Sequence, residues 1–322
     1  MQIGYHASHE QFSPSSLLRC ARLAQDAGFG AAKSSDHIHP WSERQGHSGF
    51  AWSWLGAAMA VTDLPFGSIT APGYRYHPAI VAQAAATLGE MFPNRFWLAL
   101  GSGEAVNESI TGQYWPDKPE RNAILAECAA VIRALLAGET VTHRGRITVV
   151  EAKIYSRPAT PVPLFGAAIT PASARHVAQW ADGLLITGGE VDEIRPSIEA
   201  FREAGGEGKP VHIQHALCWA RSEDEAFEAA LDQWAPNAAG GEVNWDLRRP
   251  RDFDQATRFV RREDIAKAVF ISEDLGRHRA AIEAYAELGV TAVHLHQVGR
   301  NQEEFIEAFG AKVLPGLDRK TL

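Results

Sequence analysis

Short apolar runs alternate with longer amphipathic stretches along the whole chain, and each change of period marks a change of element. The runs that read as strands are Gln2 to Ala7, Ala31 to Ser35, Phe66 to Thr70, Phe96 to Leu100, Val162 to Ala167, Gly183 to Thr187, Val211 to Trp219 and Val290 to His296. Between them apolar positions recur at helical spacing, and the helix ends are marked. Ser13-Pro14 opens the first helix and Gly28 closes it, while Pro78, Pro119 and Pro171 open the third, fourth and fifth. This succession of strand and helix units predicts an α/β fold of the TIM (β/α)8 barrel type. The alternative is a doubly wound sheet, which usually stops at about five or six parallel strands. No shift in composition marks a second domain, so one domain over 1–322 is expected.

Two stretches break the repeat. Thr140 to Tyr155 alternates apolar and polar residues around Arg144-Gly145 and reads as an inserted hairpin over about 140–155. Pro236 to Arg262 carries Gly240-Gly241, several arginines and little regular period, and reads as a long loop with short helices over about 236–262. Loops of that length in a compact fold are usually lids or substrate walls.

Composition removes several classes of function. Of 322 residues, 45% are hydrophobic and 22% charged, enough apolar material for a large core. The 39 acidic against 31 basic residues leave a net charge of -8, which repels phosphate backbones and anionic lipid, so neither nucleic acid nor membrane is an expected partner. No run approaches the roughly 20 apolar residues of a membrane helix. Met1-Gln-Ile-Gly-Tyr5 enters a strand pattern with no basic leader, so the fold is expected to begin there. Cys20, Cys128 and Cys218 are odd in number and lie in apolar segments, the pattern of a reduced, cytoplasmic protein.

In a barrel, chemistry sits at the C-terminal ends of the strands, which here carry Ser8-His9-Glu10, Asp36-His37-Ile38-His39-Pro40-Trp41 and Gly101-Ser102-Gly103-Glu104, among others. His37 has the pKa of a base near neutral pH, held by a neighbouring acid. The His-x-His pair also fits a metal site, but the other strand ends offer Ala167, Ala168 and Thr187 rather than further ligands, so no metal is expected. A third reading makes both histidines mere hydrogen-bonding loop residues. The glycine loop lacks the third glycine of a dinucleotide fingerprint, where Val106 stands, yet its backbone N–H groups can still cradle a phosphate. Glu104 beside it would repel that anion and is better read as an acid aimed at a ring nitrogen or a reacting proton. Trp41, Phe50, Trp52, Trp54, Tyr74, Tyr76 and Trp115 gather at the same strand ends and suit a flat ring or a sugar, although such aromatics are more often core.

Together the segments Gly4-Tyr5-His6-Ala7-Ser8, Ser35-Asp36-His37 through Pro40-Trp41, Arg75-Tyr76-His77-Pro78-Ala79, Pro93-Asn94-Arg95 and Gly101 to Glu108 resemble the luciferase-like class of barrel oxidoreductases. Within it they resemble the branch of deazaflavin (coenzyme F-420) dependent glucose-6-phosphate and secondary-alcohol dehydrogenases, which includes relatives thought to use an ordinary flavin such as FMN. The resemblance extends to Val313-Leu314-Pro315. It implies that His37 takes the hydroxyl proton, that Trp41 bounds the substrate and stabilises the charged base, and that Glu104 manages the proton on the cofactor ring. It further implies that Asp36 and Asn107 contact the cofactor, that Ser102, Gly103, Ala167 and Ala168 line its phosphate, and that Ser68-Ile69 lies where the class has a non-proline cis peptide against the ring. The class commonly forms homodimers.

The departures bear on substrate. Where sugar-phosphate members present lysines to the phosphate, this chain has Glu190 after the sixth strand and Gln255 in the long insertion, and these two, with Trp41 and Thr187, are the residues expected to meet the substrate. Glu190 would repel a phosphate by several kcal/mol in a partly desolvated pocket. Arg248, Arg249, Arg251, Arg258, Arg261 and Arg262 read better as a solvated face than as a substitute, so a neutral alcohol or sugar is expected. Lys33, in a strand where relatives are usually uncharged, has no explanation in the sequence. The resulting expectation is hydride transfer between a CH–OH group and a deazaflavin or flavin. The alternatives are a reduced-FMN monooxygenase and a flavin-binding protein without catalysis, the last disfavoured because it needs neither His37 nor Glu104.

Overall fold

The computed structural model describes residues 1–239 and 242–317. Its strands are β1 (Gln2–Ala7), β2 (Ala31–Ser35), β3 (Phe66–Thr70), β4 (Phe96–Leu100), β5 (Val141–Arg144), β6 (Thr148–Ala152), β7 (Leu164–Ala167), β8 (Gly183–Thr187), β9 (Val211–Cys218), β10 (Phe270–Ile271) and β11 (Ala292–Gln297). The parallel pairings run β1-β2-β3-β4-β7-β8-β9-β11, and β11 pairs back onto β1, Gln2 opposite Ala292. That last pairing closes an eight-stranded barrel and removes the doubly wound alternative. β7 starts two residues later than the apolar run suggests, since Pro163 has no N–H for the ladder. β10, two residues paired with Leu217 and Cys218, is too short to leave a period in the sequence.

The helices coat the barrel, each with an apolar stripe turned inward. In Pro14–Asp26 the buried positions are Leu17, Cys20, Ala21 and Ala24, and Ser13 Oγ caps its start by accepting from the Ser16 N–H. Pro78 and Pro171 are first residues of their helices, whereas Pro119 is second in Lys118–Ala137. β5 and β6 form the hairpin, joined antiparallel and fastened to the barrel's helices by Glu127, which accepts from the Arg146 guanidinium at 3.0 Å. In the second insertion, helix Glu223–Ala238 runs through Pro236, and a 3-10 turn (Glu242–Trp245) and the helices Pro250–Ala256 and Arg262–Ala268 follow. Gly240 and Gly241 lie outside the described residues.

The lumen is half apolar and half polar. Trp97, Ala99, Phe165, Leu185 and Ile69 pack together on one side. Gly67 makes this packing possible, because a Cβ there would land in the Trp97 ring. Overpacking of this kind costs about 1–3 kcal/mol, so Gly67→Ala is expected to lower the unfolding midpoint, a shift that thermal denaturation would register. On the other side His6, Lys33, His212, His294 and His296 are all at least nine-tenths buried.

Candidate active site

β2 ends at Ser35 and the chain leaves the barrel through Asp36 and His37. Strand alternation sends Ser35 into the lumen and Asp36 to the opposite side, so the two polar neighbours serve different networks. His37 comes back over the mouth, its Nδ1 2.6 Å from Glu10 Oε1. Ser35 Oγ donates to that same oxygen at 2.5 Å, and Ser8 Oγ donates to Oε2 at 2.9 Å. Burial works against the Glu10 charge, but His37 and, to a smaller degree, the Ser35 hydroxyl outweigh it and hold the carboxyl well below its ordinary range. Burial likewise works against the imidazolium, and Glu10, with a smaller part from Glu104, reverses the balance and raises the His37 pKa. Nδ1 is engaged, which leaves Nε2 without a protein partner among the described residues. An imidazole oriented by a buried carboxylate, with one nitrogen free, is the arrangement of a general base.

Trp41 stands edge-on to His37, ring centroids 5.3 Å apart, and Phe253 of the second insertion meets its other side at 5.5 Å. The same insertion fastens the Trp41 loop through Asp254, which accepts from Ser42 Oγ at 2.6 Å and from the Glu43 N–H at 3.0 Å. It also reaches the loop after β4, where Asp246 accepts from Trp115 Nε1 at 3.1 Å.

Asp36 is fully committed inside the protein. Its carboxylate accepts from Trp52 Nε1 at 3.1 Å, Thr70 Oγ1 at 2.8 Å and Tyr76 OH at 3.2 Å, and the Arg75 guanidinium lies 3.6 Å away. Its side chain has no solvent exposure, so the carboxylate is closed to a ligand and works as a brace under the loop. Arg75 continues inward to Glu108 at 3.7 Å; burial raises the Glu108 carboxyl to about 7, with Arg75 opposing. Asn107 Oδ1 accepts from the Ile38 and His39 N–H groups at 3.0 and 3.2 Å, fixing the His37 loop from the β4 side. Its Nδ2 is buried with no partner. His39 turns away from His37, its Nδ1 2.7 Å from the Val106 carbonyl, so the two rings do not converge on one point.

Glu104 precedes the short helix Ala105–Glu108 without capping it, and its carboxylate has no hydrogen-bond partner among the described residues. Gly103 adopts φ 77°, and a Cβ there would meet Glu108 Cγ at 2.9 Å. Ser102 Oγ receives a hydrogen bond from Lys118 Nζ at 2.5 Å, a cation that no motif in the sequence places here. Ala167 ends β7 and Ala168 follows it, its N–H bonded to the Leu185 carbonyl; a Cβ on Gly101 would reach Ala167, so the two loops are neighbours. Thr187 and Glu190 are exposed at the end of β8, and Gln255 is exposed on helix Pro250–Ala256.

Ser68 and Ile69 divide. Ile69 joins the aromatic side of the lumen, whereas Ser68 faces outward and its Oγ accepts from Ser34 Oγ at 3.2 Å. The peptide between them is trans, as are all described peptide bonds, in contrast to the cis bond the resemblance implies. The trans form is the low-energy one for a non-proline residue, and β3 keeps register with both β2 and β4 through these residues.

Comparison with known proteins agrees with this architecture. The family model of luciferase-like monooxygenases matches residues 1–292. The chain belongs to the luciferase-like family. It is 36% identical over 328 residues to an F-420-dependent glucose-6-phosphate dehydrogenase of Beutenbergia cavernae, covering 98% of this chain and 97% of the relative. It is 34% identical over 331 residues to the protein of the same description from Microbacterium testaceum, with 99% and 98% covered. A solved F-420-dependent secondary alcohol dehydrogenase, in complex with an F-420-acetone adduct, superposes with a TM-score of 0.89 at 30% identity, covering 98% of both chains.

Within that family frame, the residue that sequence reasoning left unnamed is the acid behind the base. Glu10 lies in a different loop from His37, and only the parallel pairing of β1 with β2 brings the two together. Its signal was present in Ser8-His9-Glu10 at the first strand end. Arg75 and Glu108, the inner part of the Asp36 brace, left no comparable signal.

Proposed function

We propose that this chain is a coenzyme F-420-dependent dehydrogenase that removes hydride from the CH–OH carbon of a neutral alcohol or sugar. The observation that carries the reading is His37 with Nδ1 on buried Glu10 and Nε2 free at the barrel mouth. The relatives' descriptions support the cofactor and the bond type. The mouth suits a flat ring with a phosphate: Ile69 offers an apolar wall, Asn107 Nδ2 is a buried donor without a partner, and the bare backbone of Gly101 lies between Ile69 and the small residue Ala167. When bound, the deazaflavin supplies the two-electron acceptor. His37 takes the hydroxyl proton and Glu10 stabilises the imidazolium that forms. Trp41 closes one side of the substrate space and keeps water from the base. Glu104 holds or gives the proton demanded by the cofactor ring. A homodimer and a reduced cytoplasmic setting belong to the same reading. In its support, the three cysteines are free and buried, and among the described residues no helix is long and apolar enough to cross a membrane.

Neutral substrates are favoured by charge. Glu190 sits at the start of helix Val191–Phe201, whose first turn adds Asp192 and Glu193, so a helix end that would otherwise attract an anion carries three carboxylates. Gln255 adds no compensating cation. The double change Glu190→Lys with Gln255→Lys is expected to raise kcat/KM for glucose 6-phosphate by about tenfold or more while leaving a neutral alcohol nearly unaffected. Parallel assays of phosphorylated and unphosphorylated substrates check this; equal effects on both would refute the charge argument.

A further inference from the structure

Lys33 is a charged lumen residue that neither the packing of the barrel nor the proposed chemistry uses. It lies in the middle of β2, has no solvent exposure, and hydrogen-bonds through Nζ to Gln214 Oε1 of β9 at 2.6 Å. A buried ammonium with only a neutral partner is costly unless a carboxylate charge lies near. The nearest candidate is above it on the same face: Lys33 and Ser35 are successive inward residues, about 7 Å apart by strand geometry. Ser35 Oγ touches Glu10 Oε1 at 2.5 Å.

The other groups facing this space do not supply that charge. His6 of β1 is opposite Lys33 in register, and burial keeps it, like His294 of β11, well below the ordinary imidazole pKa. Burial takes His212 and His296 to about 3 and His9 to about 4. All five are neutral near pH 7. At the mouth Arg75 is shared by Asp36 and Glu108, and Glu104 adds a negative charge on the far side of His37. The buried Glu10 charge therefore has two cations within reach, the His37 imidazolium and the Lys33 ammonium.

We propose that Lys33 is a positioning residue that balances Glu10 from inside the barrel, so that His37 can stand neutral and accept the substrate's proton. Without it, deprotonating His37 would leave Glu10 as an uncompensated buried anion, and the pair would hold its proton more tightly. With it, the compensating charge has a second seat whenever His37 is empty. Burial lowers Lys33 to about 7 and Glu10 pulls it back up, so the same carboxylate acts on both cations. The inference rests on His37 being the base, but the charge balance itself is testable without substrate.

The test is an NMR titration of the His37 ring in the ligand-free protein, repeated for Lys33→Met, Lys33→Arg and Gln214→Glu, followed by pH profiles of kcat/KM for the same set. Lys33→Met is expected to raise the His37 pKa by about one unit or more and to move the acid limb of alcohol oxidation to higher pH by the same amount. Lys33→Arg should restore the original value. Gln214→Glu gives Lys33 a carboxylate of its own and should shift His37 in the same direction as Lys33→Met. If Lys33→Met does not fold, Gln214→Glu decides alone. An unchanged His37 titration in either folded variant overturns the proposal. A shifted titration with an unshifted rate profile would leave the charge balance standing and remove His37 from the role of base.

Discussion

Replacing His37 with alanine is expected to abolish turnover, a loss of about 100- to 10,000-fold in kcat/KM, while the affinity for the cofactor stays within about threefold. The split follows from the geometry. The His37 ring is paired with Glu10 and not with the backbone that shapes the loop, which Asn107 and Ser48 hold: Asn107 Oδ1 accepts from Ile38 and His39, and Ser48 Oγ donates to the His37 carbonyl. Removing the ring therefore removes the base and leaves the cradle. The pH dependence has a fixed sign. Oxidation of an alcohol needs neutral His37, and Glu10 raises the His37 pKa, so kcat/KM should climb as pH rises through a value above the ordinary imidazole range. Steady-state rates beside cofactor titrations separate the two effects. Loss of cofactor binding in His37→Ala would make this residue structural.

Asp36→Ala is expected to act almost entirely on stability, by about 3–5 kcal/mol, because it leaves a buried guanidinium without its carboxylate. Arg75 would keep the more distant Glu108 carboxylate, at 3.7 Å, and its hydrogen bond to the Asp36 backbone carbonyl, while Trp52, Thr70 and Tyr76 would each lose an acceptor. Chemical denaturation of the variant checks the magnitude. Cofactor affinity, measured where the variant is still folded, checks the assignment. If Asp36→Ala unfolds no more easily than the parent but fails to bind cofactor, then its carboxylate faces the ligand after all and the brace is wrong.

These two residues also show what the sequence made legible. The barrel was readable because strands such as β4 are apolar runs bounded by proline and glycine, and strands buried on both faces write that pattern directly. His37 was readable because it follows a strand end, where barrels keep their chemistry. Its partner was not, since pairing Glu10 with His37 requires the β1–β2 register and the path of two loops, neither of which is periodic. The Asp36 network was not legible for a local reason: strand alternation sends the Asp36 and His37 side chains to different surroundings, and Trp52, Thr70 and Tyr76 come to Asp36 from three other segments. Ser68 and Ile69 part in the same way. Lys33 stood out in sequence as a charge in a strand where relatives are usually uncharged, but its meaning depends on Gln214 and Glu10, which come from other strands and loops.

The central claim, hydride transfer to a deazaflavin, is tested most directly by titrating the purified protein with coenzyme F-420 and separately with FMN, following the fluorescence of its 9 tryptophans, and then adding secondary alcohols and unphosphorylated sugars under anaerobic conditions. The account predicts tight binding of the deazaflavin and loss of its oxidised absorbance on addition of a substrate, with no need for oxygen. Binding of FMN alone, with oxygen consumed once the flavin is reduced, would contradict it and make the protein a monooxygenase.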